Sequence, residues 1–506
     1  MRNRGSLVLV VLLTLATLPT CAVGGPRVLH VSIRDGERAL TVGETLLLTA
    51  DVTVVDNAPT TVLWEVDGDA VAVEDGLVTA LAVGTATINA TSAFDPTRSD
   101  SVAVRVVPFG THVWTQQFGG EGFDFAWSVA VDRADAVLVA GGTSGSVDGQ
   151  MPVGEDDALV RKLDRDGRLL WTDQFGSDAH DLAYGVATDA SDQVLVAGYT
   201  MGALPDQAHI GGGDAFVRKL GPDGVPIWTH QFGTPAHDTA TSVAVAAAGD
   251  AFVAGYTAGT LPAETRQGER DAFVRRLDPD GRPLWTRQFG SDGRTYAEAV
   301  AVAATGSVVV VGATDGALVA GAHQGEFDVF VRRFDADGET SWTRQFGTAE
   351  TDYAYGVTLD PLGNAYVVGF TRGTLADQAS AGGTDAFVTK LDPSGVPVWT
   401  RQIGSAESDL AFGVAVDVFG DVVVAGYTRG ALAGAEHGGG FDAFTLKFTP
   451  DGDIRWSQQF GSDADDFAYG VAADSRGFTL VVGETHGRVG DLHAGDADAF
   501  VRRTHR

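Results

Sequence analysis

The sequence predicts an all-β chain, in which a small N-terminal β-sandwich precedes a seven-bladed β-propeller of four-stranded blades. Three observations point there. A tryptophan recurs every 57 residues, at Trp114, Trp171, Trp228, Trp285, Trp342, Trp399 and Trp456. Each interval holds four short stretches of period-2 or β-branched apolar character and no helical period. The array opens on a marker strand with no companion before it and closes on a strand with no marker after it. A fixed period of this length signals a repeat architecture. Four such strands per unit signal a meander, and seven meanders set radially make a propeller.

The unit that starts at Trp171 shows the elements in order. Trp171 to Gly176 is a short strand with apolar residues at alternate positions. Leu182 to Thr188 alternates small with large, Gln193 to Thr200 is β-branched and apolar, and Asp214 to Leu220 alternates again. Turn residues separate the four. The second strand is expected innermost, with Ala183, Gly185 and Ala187 packed where blades converge and Tyr184 and Val186 facing the opposite neighbour. Trp171 and Phe175, on one face of the outer strand, read as inter-blade core rather than as a sugar-stacking ring. Other positions keep step: a Gln three after each marker, an Ala twelve after, and a Gly-x-Thr from Thr143 to Thr485. The odd strands at the two ends complete one blade, one from the start and three from the end. Val113 to Phe118 is therefore expected to pair antiparallel with the strand from Ala499 to Arg503, which hides two open edges.

Composition limits function. The chain has 506 residues, 66 of them glycine, one cysteine, and a formal net charge of -32. That charge argues against nucleic acid and anionic membrane as partners, since both would be repelled. Residues 1–25 read as an export signal: Arg2 and Arg4 precede an apolar run from Leu7 to Leu18 that is too short for a permanent anchor. Residues 26–107 form a separate all-β unit without the repeat, 108–110 (Pro108-Phe109-Gly110) a linker, and 111–506 the propeller. Strands in the first unit are expected at Val28 to Ile33, Leu46 to Val55, Thr61 to Val66, Gly76 to Ala82, Ala86 to Ala90 and Ser101 to Val107, with Trp64 buried between two sheets.

Three resemblances follow from these residues. Leu18-Pro19-Thr20-Cys21 resembles the lipobox of bacterial lipoproteins, which makes Cys21 a lipidation candidate; Thr20 departs from the usual Gly, Ala or Ser. The alternative is cleavage after Ala22 or Gly24 with loss of Cys21, and with one cysteine no disulfide holds any domain. Leu40-Thr-Val-Gly-Glu-Thr-Leu46, Val62-Leu-Trp-Glu65, Gly76-Leu-Val-Thr-Ala80 and Gly84-Thr-Ala-Thr-Ile88 resemble the bacterial immunoglobulin-like domain group 2 of intimin-like and invasin-like proteins. That resemblance implies a surface or secreted β-sandwich spacer, usually without an active site. The pattern Trp-x-x-Gln-Phe-Gly, Asp-x-Ala-x-Gly-Val-Ala, Val-x-Gly-x-Thr, Asp-Ala-Phe-Val-x-Lys-Leu-Asp-x-x-Gly resembles the bacterial seven-bladed β-propeller repeat family, which implies an exported protein without assigned chemistry.

Candidate site residues are few. His209, His323, His437 and His493 share one loop position, and His180 and His237 share another. Both lie on the face that carries the longest, most varied links, where binding residues concentrate on a rigid scaffold. Two recurring Asp series, Asp124 to Asp466 (Thr295 breaks it) and Asp157 to Asp498, sit at turn-to-strand junctions. They read first as acceptors of backbone N–H bonds and second as a ring of calcium sites. No cofactor is expected otherwise. No nucleophile elbow, zinc helix, phosphate loop or dinucleotide fingerprint occurs, so no catalytic residue is assigned. The expectation is an exported or cell-surface monomer that binds a protein or glycan through propeller loops, touching membrane only through a lipid anchor. The alternatives are an extracellular polysaccharide lyase or hydrolase and a purely structural envelope protein. A cluster confined to one or two blades would favour an enzyme, and equal decoration of all blades would favour multivalent binding.

Overall fold

The computed structural model describes residues 25–34, 38–432, 435–490 and 493–506; the export signal and Cys21 lie outside the described residues. The described chain divides into two compact units, with the division between Phe109 and Gly110.

The N-terminal unit is all-β. A four-stranded sheet runs in the order Arg38–Thr41, Ser99–Val107, Gly84–Ser92, Val62–Asp67, beside a three-stranded and a two-stranded sheet. Fully buried Val78, Ile88 and Val104 anchor its core. Trp64 is only partly buried and packs on two core clusters, so it seals their junction instead of lying between sheets. The expected strand from Leu46 to Val55 is broken into Thr45–Leu47 and Ala50–Val55, which join different sheets. At the break the Leu48 N–H donates to the Gly76 carbonyl and the Arg34 N–H to that of Thr49, so the chain changes partner there. Two short strands, Arg38–Thr41 and Val71–Glu74, lie where the sequence suggested none.

The second unit contains seven four-stranded sheets, each an antiparallel meander. Blade 1 covers 124–175, blade 2 181–232, blade 3 238–289, blade 4 295–346, blade 5 352–403 and blade 6 409–460. Blade 7 takes three strands from 466–504 and its outermost from His112–Phe118. That strand pairs antiparallel with Asp498–Thr504, Phe118 facing Ala499 and Trp114 facing Arg503. The expected one-plus-three closure is therefore present. Inner strands touch their neighbours all round, including Asp124–Val131 of blade 1 against Asp466–Ala473 of blade 7.

Burial explains the strand sequences. In blade 2, every residue of the third strand, Asp214–Leu220, is buried, and the second, Val194–Thr200, is nearly so. Neighbouring blades cover both their faces, so the second strand reads as a continuous apolar run. The buried lysines of the third strands are paired with carboxylates: Lys162 with Asp132 at 2.9 Å, Lys219 with Asp189 at 3.2 Å and Lys447 with Asp417 at 2.7 Å. An unpaired buried charge would cost far more. The repeated tryptophans join blades. Trp171 Nε1 donates to the Pro222 carbonyl at 3.0 Å, and the indole packs on Gly224 in the hairpin of the next blade. Trp228, Trp285, Trp342 and Trp399 make the equivalent bond.

Candidate functional site

The recurring polar residues build a clamp. In blade 2, Gln231 Nε2 donates to Asp214 Oδ2 at 2.7 Å and to the Gly202 carbonyl at 2.9 Å, while its Oε1 accepts the Leu204 N–H at 3.0 Å. The outer strand thus holds the long link between the second and third strands. Every blade repeats the Gln–Asp bond, from Gln117–Asp498 to Gln459–Asp442. The first Asp series caps the link between blades: Asp181 Oδ2 accepts the Ser177 N–H at 2.6 Å, and Asp238 accepts that of Thr234 at 2.6 Å. Thr295 does the same through its hydroxyl, which accepts the Ser291 N–H at 3.1 Å.

Four of the six candidate histidines belong to this clamp. Nδ1 of His209, His323, His437 and His493 lies 3.3, 3.2, 3.0 and 3.0 Å from Oδ2 of Asp214, Asp328, Asp442 and Asp498, the oxygen the glutamine also holds. Each stays in its own blade, and none lines the axis. His180 sits between Glu155 and Asp156, at 2.7 and 2.6 Å. His237 Nε2 is 3.1 Å from the Thr239 hydroxyl, and its ring centroid is 5.7 Å from that of Tyr199. Among the described residues no group of three or more His, Cys, Asp or Glu side chains is arranged to hold a metal ion. Isolated bridges such as Asp156 to His180 and Gly213 to His237 tie the second-to-third-strand links to the inter-blade links, so both emerge on one face.

The structure adds a site that the period-2 reading missed. Each inner strand carries a β-bulge one residue after its repeated alanine: between Ala126 and Ser128, Ala183 and Gly185, Ala240 and Ser242, and so on to Ala468 and Gly470. A bulge inserts one unpaired residue and re-aims its side chain. The seven bulge residues are Trp127, Tyr184, Thr241, Glu298, Tyr355, Phe412 and Tyr469, and all line one axial cavity of about 610 Å³. Tyr184 therefore points to the axis and not to a neighbouring blade, because the bulge breaks the alternation that would have paired it with Val186. The glycine of Gly-x-Thr is required here. A Cβ on Gly198 would strike the Leu182 carbonyl just before the bulge, and the same holds from Gly141 to Gly483.

The lining is uneven. Rings of Tyr184, Trp127, Tyr469, Phe412 and Tyr355 follow one another around the axis, with centroids 5.9, 4.1, 5.5 and 4.2 Å apart. Blades 3 and 4 break the crescent with Thr241 and Glu298. The Thr241 hydroxyl donates to the Ala297 carbonyl at 2.8 Å. Glu298 Oε1 accepts the Tyr353 hydroxyl at 2.6 Å. Burial pushes the Glu298 carboxyl up to about 7, against the opposing effect of that hydrogen bond. Burial likewise raises Tyr184, Tyr355 and Tyr469, so these phenols stay protonated at neutral pH. Toward the loop face the cavity continues past Thr239, Tyr256, Tyr296, Tyr353 and Tyr427. Just outside, the Tyr469 hydroxyl donates to Glu484 at 2.9 Å. The well is thus an aromatic bowl with one carboxyl group, able to stack a ring and to form hydrogen bonds through Glu298 and the surrounding hydroxyls.

Comparison with known proteins places both units. Residues 27–97 match the bacterial Ig-like domain (group 2), and residues 341–375 and 455–488 match the beta-propeller repeat. The regulatory protein FlaEY of Caulobacter vibrioides is 31% identical over 175 residues, which is 32% of this chain and 18% of that protein. A 3-O-alpha-D-galactosyl-alpha-L-arabinofuranosidase of Bifidobacterium longum subsp. longum is 47% identical over 74 residues, 14% of this chain and 6% of that enzyme. The chain thus spans less than a fifth of the length of either relative. Among solved structures, the WD40 domain of Neurospora crassa Pan2 has a TM-score of 0.46 at 10% identity, covering 78% of this chain and 95% of that one.

Proposed function

We propose that this protein is an exported recognition module whose propeller binds a glycan end in the axial well, without chemistry. The observation that carries this reading is the aromatic crescent of Tyr184, Trp127, Tyr469, Phe412 and Tyr355 around a cavity of about 610 Å³. That volume suits a small ligand, and aromatic faces with a few polar groups are how such sites are lined. Because the bulge residue differs from blade to blade, the reading is one axial site rather than seven equivalent ones. His180 and His237 lie on the same face and would contribute to its rim. The alternative of a glycoside hydrolase asks for two carboxyl groups flanking the scissile bond; among the described lining residues Glu298 is the single carboxyl. Export rests on the charged and apolar run of residues 1–25 and on the bacterial Ig-like domain, a module typical of surface or exported proteins.

A glycan array probed with the purified chain tests the binding reading. The expected result is a signal that Tyr355→Ala weakens by about tenfold or more, the loss of one stacked ring. Binding untouched by Tyr355→Ala and Trp127→Ala, or confined to a protein ligand, would overturn it.

A further inference from the structure

We infer that the axial well accepts a positively charged alkylammonium group, seated against the Glu298 carboxylate and between tyrosine faces; this rests on the axial-well reading above and names the chemistry of its ligand. Among the described residues that line the cavity, Glu298 is the one side chain ionisable near neutral pH, and none is Lys, Arg or His. The Tyr353 hydroxyl is the one hydrogen-bond donor to Glu298 among the described residues, which leaves acceptor capacity on that carboxyl. Tyr184, Tyr256 and Tyr355 stand close enough to feel its charge. Arg270, outside the lining, stands over two of its rings, 5.6 Å from the centroids of both Tyr256 and Tyr296.

A carboxylate held among tyrosine rings, with no cationic side chain in the lining, is costly. Two partners can relieve it, a proton or a cation. Burial already draws Glu298 toward holding a proton, up to about 7, and a bound cation would compete with that proton. An alkylammonium group answers both features at once: its charge meets the carboxylate, and its C–H shell rests on ring faces whose quadrupoles attract cations. An anion would be repelled by Glu298, and a metal ion would lack ligands, since no cluster of three among the described residues could hold one. The formal net charge of -32 adds long-range attraction for a cation and repulsion for an anion. The gap in the aromatic crescent at blades 3 and 4 is where the charged end would sit.

The test is calorimetric titration of the full chain with four small probes. Choline is compared with dimethylbutanol, its uncharged carbon isostere, and glucosamine with N-acetylglucosamine. The charged member of at least one pair is expected to bind about tenfold more tightly than its neutral counterpart. Choline, charged at every pH, should gain affinity by about tenfold between about pH 6 and about pH 8 as Glu298 ionises. Glu298→Gln, which keeps an oxygen for the Tyr353 hydroxyl, should remove both the preference and the pH dependence. Choline the tighter of the two cations assigns a quaternary headgroup; glucosamine the tighter assigns an amino sugar. Neutral probes that bind as tightly as their charged partners, or choline binding unchanged in Glu298→Gln, would overturn the ammonium proposal and leave the axial well standing as a neutral site. Binding by none of the four overturns it as well, and the array experiment with Tyr355→Ala then judges the well by itself.

Discussion

Replacing Gly312 with alanine separates the propeller's stability from its site. Gly312 faces the bulge of blade 4, the one that carries Glu298. A Cβ there would lie 2.9 Å from the Tyr296 carbonyl carbon and 3.1 Å from Ala297 Cα, and closer still to the Tyr296 oxygen. Unstrained contact needs about 3.5 Å or more, so backbone and not a side chain must move. The strand cannot retreat, because Val309, Val310 and Val311 beside it are fully buried against blades on either side. Overpacking of this kind costs about 3 kcal/mol, the upper end of the usual range, since no flexible side chain absorbs it. Gly426→Ala is the matched control. Its Cβ would come 2.7 Å from Phe444 Cζ and 2.9 Å from Ala411 Cα, in blade 6, whose bulge carries Phe412. Urea denaturation of both variants should show comparable destabilisation. Calorimetry under conditions where both remain folded should show loss of the Glu298-dependent cation preference in Gly312→Ala alone. A Gly312→Ala protein within about 0.5 kcal/mol of wild type would refute the claim that the bulge requires glycine.

Two further outcomes are expected. Gln402→Ala removes bonds to Asp385 at 2.7 Å, the Gly373 carbonyl at 2.9 Å and the Leu375 N–H at 3.0 Å, and should destabilise the propeller by about 3 kcal/mol in the same urea assay; an unshifted midpoint would show that the clamp contributes nothing. The second concerns pH. In the folded chain Glu298 keeps its proton up to about 7, against an ordinary value of 4.5, so the folded state binds the extra proton between those values and stability falls as pH rises through that window. Glu298→Gln should flatten this part of the urea-midpoint profile, and an unchanged slope would argue that another group is responsible.

The repeat made most of the fold legible. Seven tryptophans in register fix the blade count, and the unmatched strand at each end of the array fixes the closure at Val113 to Phe118. The axial site was legible only in part. Alternation puts Tyr184 and Val186 on one face of a regular strand, and nothing local to Leu182 to Thr188 announces an inserted residue. The signal lay in comparing units. The column thirteen residues after each tryptophan holds bulky aromatics in five units and Thr241 and Glu298 in two, amid neighbours that stay small. A column that large and that variable inside an otherwise constant frame does not belong to shared packing. Four of the six candidate histidines have a packing role that the sequence alone did not display. Their recurrence reflects a side chain bonded to the clamp aspartate of its own blade, as at His437 and Asp442, and such a contact is copied with the unit.

The split blade has a consequence for the order in which the ring holds together. In blade 1 the clamp bond between Gln174 and Asp157 joins residues 17 apart in sequence; in blade 7 the same bond joins Gln117 to Asp498, 381 apart. Loop-closure entropy grows with the logarithm of that separation, so an equivalent set of contacts starts about 3 kcal/mol poorer at blade 7 than elsewhere. The ring therefore has a seam. Local opening is expected first where His112–Phe118 leaves Asp498–Thr504, and joining those two segments covalently, with new ends cut between two other blades, should move the seam.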